Sequence, residues 1–106
     1  MELCKTVSDH VAFSREKMKK MNLFTTERLF CDVYCLEPGQ SQTPHSHDAS
    51  DKVYYVLSGE GSVTVGEDTH SLTPGEIVLA PAGSEHGIRN DSNDRLTTLV
   101  FMSPKP

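Results

Sequence analysis

Two stretches, Gly39-Gln-Ser-Gln-Thr-Pro-His45-Ser-His47 and Gly75-Glu-Ile-Val-Leu-Ala-Pro81-Ala-Gly83-Ser-Glu-His86-Gly-Ile-Arg-Asn90, decide how this chain is read. Side chains on a strand alternate with period two, so His45 and His47 point to one face with Cα atoms roughly 7 Å apart. That is close enough for both rings to converge on one ion. His86 follows its own Pro/Gly corner and offers a third nitrogen from a neighbouring strand. Neutral imidazole suits iron, zinc, copper and nickel. A three-histidine metal pocket is therefore the first expectation.

Outward from these stretches the sequence reads as β-structure. Arg28–Glu37 is rich in β-formers and reads as a buried strand ended by the Pro38-Gly39 turn. Lys52–Leu57 is a second strand, Ser62–Gly66 alternates polar and apolar, and the Gly59–Gly61 junction between them predicts a tight hairpin. After a Gly66–Thr69 turn, the segment from His70 leads to the Pro74-Gly75 corner. Strands at Ile77–Ala80, Gly87–Asn90 and Leu96–Met102 complete the set, with Asn90–Asp94 as a polar loop. Lys17–Phe24 is compatible with helix or strand. Its length and its place before a Thr25-Thr26 turn favour an edge strand, whose lysines would discourage sheet-to-sheet aggregation. Residues 1–16 read as irregular or weakly helical. Short strands with turn signals at this spacing imply a sandwich or barrel.

The bulk properties exclude several function classes. A length of 106 residues fits one domain, here 1–106. With 36% apolar and 24% charged residues the composition is that of a folded protein, and a net charge of −5 argues against nucleic acid and anionic membrane surfaces. No apolar run approaches the roughly 18 residues of a membrane span, and the opening Met-Glu-Leu-Cys-Lys-Thr is too polar for a signal peptide. Cys4, Cys31 and Cys35 are odd in number and lack metal-finger spacing, which predicts free thiols and a reducing, cytoplasmic setting.

With these residues in view, the chain resembles the cupin superfamily. That family's first motif runs Gly, five residues, His-x-His, three or four residues, Glu, six residues, Gly; Gly39, His45, His47 and Gly59 fall in register. Its second runs Gly, five residues, Pro-x-Gly, two residues, His, three residues, Asn; Gly75, Pro81, Gly83, His86 and Asn90 fill every position. The resemblance implies an all-β, single-domain jelly-roll barrel whose paired motifs span residues 39–90. It also implies that the dioxygenase chemistry of three-histidine family members is open to this chain.

The departure from the family lies at the fourth ligand, usually glutamate. Counting back from Gly59 puts Lys52 there, whereas the shorter gap forward from His47 lands on Asp51. The two point to opposite faces of a regular strand, and the pattern does not decide, because Lys52, Tyr54, Val56 and Val53, Tyr55, Leu57 are both apolar rows. An ammonium about 5 Å from a divalent ion is repelled by roughly 6 kcal/mol at an effective dielectric near 20. An inward Lys52 must then be neutral, weaken the metal, or meet an anionic ligand.

Metal ligands at His45, His47 and His86, with Lys52, Asp51, Gln42 and Tyr54 as further pocket or ligand contacts, make up the candidate site. The expected cofactor is a divalent ion (iron, zinc, manganese or nickel) and the expected partner a small molecule, anionic if Lys52 faces it. Two functions follow from this site: a metal-dependent enzyme of dioxygenase, isomerase or lyase type, or a non-catalytic ligand- or metal-binding module. A homodimer is expected, since the Val53, Tyr55, Leu57 face would otherwise be exposed. Asn90 is expected to brace backbone through its amide, and His10 and His70 to be surface residues.

Overall fold

The computed structural model describes residues 2–106. Among these, a single 3-10 turn at Val7–His10 precedes β1 (Lys19–Thr25), β2 (Phe30–Leu36), β3 (His45–Ser46), β4 (Asp51–Ser58), β5 (Gly61–Val65), β6 (Asp68–Leu72), β7 (Ile77–Ala80), β8 (Glu85–Arg89) and β9 (Leu96–Ser103). They form two sheets of antiparallel pairs, in the orders β1-β2-β9-β4-β7 and β3-β8-β5-β6, which face each other as a jelly-roll barrel.

The period-two pattern sorts the side chains. On β4, Lys52, Tyr54 and Val56 are fully buried inside the barrel, while Val53, Tyr55 and Leu57 lie half-buried on its outer face. The interior is closed by Leu36, Val56, Val63, Leu72, Ile88 and Leu96 in one apolar cluster with Tyr34 and Tyr54. Each fully buried aliphatic side chain contributes roughly 1.5–3 kcal/mol of transfer free energy. A second cluster sits on the outside of the larger sheet, where Leu23, Cys31, Val33 and Cys35 are covered by Val7, Val11 and Phe13 of the N-terminal segment. β2 is thus buried on both faces because both are covered. Cys31 and Cys35 share the outer one as free thiols, and burial raises the pKa of each.

Two local readings are corrected. The Gly59–Gly61 junction is not a hairpin: β4 pairs with β7 and β9, whereas β5 pairs with β6 and β8, so this junction carries the chain from one sheet to the other. Gly59 is required there for a different reason, since its φ is +81° and a Cβ would strike the Arg95 carbonyl. The tight hairpin comes next, where Val65 and Asp68 pair across Gly66-Glu67. The strand before the first turn also runs one residue further than expected, because Thr25 still pairs with Phe30 and the turn closes from Thr26 to Leu29. β1 is the edge strand expected of the lysine-rich segment.

Candidate metal centre

Backbone pairing brings the histidines together. His45 on β3 lies directly opposite His86 on β8, and His47 follows one residue beyond β3. The segment before β3 is held along β8 by Gln42 N–H to the Ile88 carbonyl (2.8 Å) and Asn90 N–H to the Gln40 carbonyl (2.9 Å). Gly87 permits this approach: a Cβ there would come within 2.7 Å of the Gln42 carbonyl oxygen and 3.2 Å of Pro44 backbone. The glycine after His86 therefore helps to place His45.

The ring centroids of His45 lie 4.9 Å from His47 and 4.5 Å from His86, with 5.7 Å between His47 and His86. One nitrogen from each ring falls within 4.8 Å of the others. The tautomers follow from the neighbours. His86 Nδ1 lies 3.0 Å from the Ser84 carbonyl and His45 Nδ1 lies 3.1 Å from the Thr43 carbonyl. A carbonyl only accepts, so both Nδ1 atoms carry the proton and both Nε2 lone pairs are free. His86 Nε2 is buried with no hydrogen-bond partner, an arrangement that a ligated ion resolves. Burial, and then the Lys52 charge, lower the pKa of His47; burial is also the main cause for His45 and brings His86 down to about 4. All three are neutral at pH 7, the state in which imidazole binds metal. The donor set fits a divalent ion.

Lys52 faces inward. It is 1% exposed, its Nζ lies 5.0 Å from both the Tyr34 and Tyr54 ring centroids, and it donates a long hydrogen bond (3.4 Å) to Gln42 Oε1. Burial, reinforced by Lys20, pushes its pKa down to about 7 against the opposing pull of Asp32. Asp51 points the other way: it is exposed, and its Oδ1 accepts a hydrogen bond from Ala82 N–H (2.8 Å), tying β4 to the Pro81–Gly83 corner. The family's fourth carboxylate position is thus filled by a lysine. Tyr54 is fully buried 6.3 Å from the His86 ring, and its hydroxyl finds no partner.

Of the candidate residues, His45, His47, Lys52 and Gln42 line a cavity of about 380 Å³ with Tyr34, Asp32, Lys20, Thr43, Phe30, Met102 and Pro106, whereas His86, Tyr54 and Asp51 are not part of its lining. A larger hollow of about 530 Å³ beside Lys17–Lys20 carries no cluster of ligating side chains, so chemistry and not volume singles out the site. Sequence reasoning passed over Asp32, Lys20 and Phe30. Asp32 had a signal: it is the lone acid in an otherwise apolar strand, two residues from Tyr34 and so on the same face. It is 8% exposed and held by Asn22 Nδ2 (2.8 Å). Asn90 braces the backbone as expected, donating to the Leu36 and Asp94 carbonyls. His70 is exposed on β6 and His10 ends the 3-10 turn, both outside the site.

The chain belongs to the cupin family: the Cupin domain model matches residues 32–102. A crystal structure of a protein from Thermus thermophilus superimposes with a TM-score of 0.95 at 45% identity, covering 97% of this chain and 98% of that one. A 5-nitrosalicylic acid 1,2-dioxygenase of Bradyrhizobium is 34% identical over 73% of this chain, which spans only 36% of that enzyme. An oxalate-binding protein of Thermotoga maritima is 29% identical over 80% of this chain and 69% of its own. No helix among the described residues is long and apolar enough to cross a membrane.

Proposed function

We propose that this cupin is a divalent-metal-dependent small-molecule enzyme, of dioxygenase, isomerase or lyase type, with His45, His47 and His86 as the ligands. The observation that carries the reading is the convergence of three neutral imidazoles within 4.8 Å, one with a buried and unpartnered Nε2. When bound, a divalent ion supplies Lewis-acid polarisation of a substrate oxygen or, as iron, oxygen activation. The chain's own part is to hold the donors at fixed tautomer through Thr43 and Ser84, to exclude water with Phe30 and Met102, and to present Lys52 and Gln42 to the ligand. The likeness to a dioxygenase supports the enzymatic reading.

Elemental analysis of tag-free protein tests it. About one equivalent of iron, zinc, manganese or nickel per chain is expected, and its loss in His86→Ala. Protein that stays metal-free after supplementation with each ion overturns the reading. The second reading, a non-catalytic binding module, draws support from the oxalate-binding relative. Turnover separates the two, because a module binds a chelating ligand and returns it unchanged.

The same proposal includes a homodimer and a cytoplasmic setting. On the outer face, Val53 pairs with Leu79 and Tyr55 with Ile77; Ile77 and Leu79 are 62% and 54% exposed, which leaves an apolar patch on two adjacent strands, with exposed Asp51 at the end of the same β4 row. A second copy of the chain brings an identical patch about a two-fold axis. A sedimentation profile of pure monomer at micromolar concentration would overturn the dimer. Three unpaired thiols agree with a reducing compartment.

A further inference from the structure

We infer that Lys52 selects the ligand of this site, and that the ligand is an organic anion carrying a carboxylate beside a second oxygen donor. A lysine that is 1% exposed is rare unless paired, since an ammonium loses most of its hydration on burial. Yet among the described residues no carboxylate approaches the Lys52 ammonium within 4.0 Å. Its neighbours are two aromatic faces and the Gln42 amide at 3.4 Å. It is therefore an unpaired amine set in the wall of the cavity that His45 and His47 also line, and a bound anion would favour its ammonium form.

The charge of that wall points the same way. Lys20 and Lys52 stand against Asp32 alone in the lining, so basic side chains outnumber acidic ones around the cavity. Asp32 is itself engaged by Asn22 and does not reach Lys52 as an ion-pair partner. An anion that enters supplies the missing counter-charge, which in a buried site is a charge-assisted interaction of the stronger kind.

The chemical class follows from the geometry of the two ends of the ligand. This step rests on the metal reading above. An ion held by His45, His47 and His86 would keep positions for the ligand, which would chelate it through oxygens on neighbouring carbons. One of those oxygens belongs to a carboxylate, whose other oxygen is left for Lys52. The wall contains no arginine and no helix N-terminus, the groups that best cradle a phosphate. A volume of about 380 Å³, with Phe30 and Met102 supplying the apolar part, leaves room for an organic body beside the carboxylate.

Titration calorimetry with oxalate, pyruvate, inorganic phosphate and the neutral oxamide tests this, using the full chain and Lys52→Met with metal content measured on each sample. Oxalate or pyruvate is expected to bind the native protein at least tenfold more tightly than Lys52→Met, while oxamide binds both equally weakly. Thermal melts of the variant confirm that it is folded. Equal affinity of the two proteins for the carboxylates overturns the role of Lys52, whatever the metal content. Absence of binding by oxalate and pyruvate, or tighter binding of phosphate, overturns the ligand class. Lack of metal alone strikes at the histidine reading, because the Lys52-dependent preference for oxalate over oxamide is then measured on the metal-free protein and stands or falls by itself.

Discussion

The interior of this barrel has two ends built from the same strands. Where Leu36 pairs with Leu96 and Val56 with Thr98, the inner faces of β2, β4 and β9 close on one another with Leu72, Val63 and Ile88 from the second sheet. Where Lys52 and Phe30 each pair with Met102, the same strands carry the Lys52 amine and the Asp32 carboxylate, and His45, His47 and His86 converge at β3 and β8. The first end is stabilised by apolar area removed from water and contains one unpartnered hydroxyl, Thr98 Oγ1. The second contains a buried unpaired lysine and two polar atoms, Tyr54 Oη and His86 Nε2, without partners. One end of the barrel holds the fold together; the other is held open against its own electrostatics.

This difference predicts opposite signs for mutations. The largest effect is expected at the closed end, where Leu96→Ala should destabilise the chain by about 3–5 kcal/mol, the range for deleting a fully buried leucine. Chemical denaturation in the presence of a chelator measures it. A loss under about 1 kcal/mol would mean that the closed end is loosely packed and that the contrast between the ends is false.

At the open end Lys52→Met should stabilise the metal-free chain by about 2–4 kcal/mol at pH 7, since a buried, unpaired charge is exchanged for an apolar side chain of similar length. The sign with pH is definite. The folded pKa near 7 lies below the usual 10.5, so between these values the unfolded chain binds the extra proton. The contribution of Lys52 to stability therefore improves as pH rises from about 7 to 10.5, and the advantage of the variant shrinks over that window. The raised thiol and phenol pKa values act oppositely at high pH, but they are common to both proteins and cancel in the difference. An advantage that is constant from about pH 7 to 10 would show that Lys52 is not desolvated.

The closed end was legible in the sequence because alternation and turn residues report burial directly, and the strand set came out nearly complete. The three-histidine cluster was legible because a His-x-His pair and a third histidine after a Pro/Gly corner are local signals. What failed was pairing. Nothing in Ser58-Gly-Glu-Gly61 distinguishes a hairpin from a passage between sheets, because the deciding contact, Gly59 against the Arg95 carbonyl, lies 36 residues downstream. The face of Lys52 was undecidable for a related reason. Both rows of β4 are apolar, one lining the barrel and one facing the outer cluster and the exposed patch around Leu79. Asp32, Lys20 and Phe30 reach the cavity only through β1–β2 and β2–β9 pairing, which a single strand does not reveal.

A smaller effect is expected at Gly87, where the two ends meet the metal reading. Gly87→Ala places a methyl group 2.7 Å from the Gln42 carbonyl oxygen and 3.2 Å from Pro44 backbone, so the backbone leading to His45 must shift. Metal affinity should fall about tenfold, the usual size of a change behind the ligands themselves, with the fold retained. Competitive chelator titration reads this. An unchanged affinity would mean that His45 contributes little to the ion, and the site would then rest on His47 and His86.

The smallest effect is expected at the boundary. Tyr54 is fully buried between the apolar cluster and His86, yet its hydroxyl has no hydrogen-bond partner, and desolvation raises its pKa well above the ordinary tyrosine value. Removing an unsatisfied buried group relieves the penalty of desolvating it while leaving the ring's packing intact. Tyr54→Phe should thus be neutral or stabilising by less than about 1 kcal/mol in the metal-free, ligand-free chain. If the hydroxyl serves the open end, the difference emerges only on loading: carboxylate affinity falls in the variant while stability does not. If the variant instead loses more than about 1 kcal/mol without ligand, Tyr54 belongs to the closed end, bonded through ordered water, and the boundary between the two ends lies one residue nearer to Lys52.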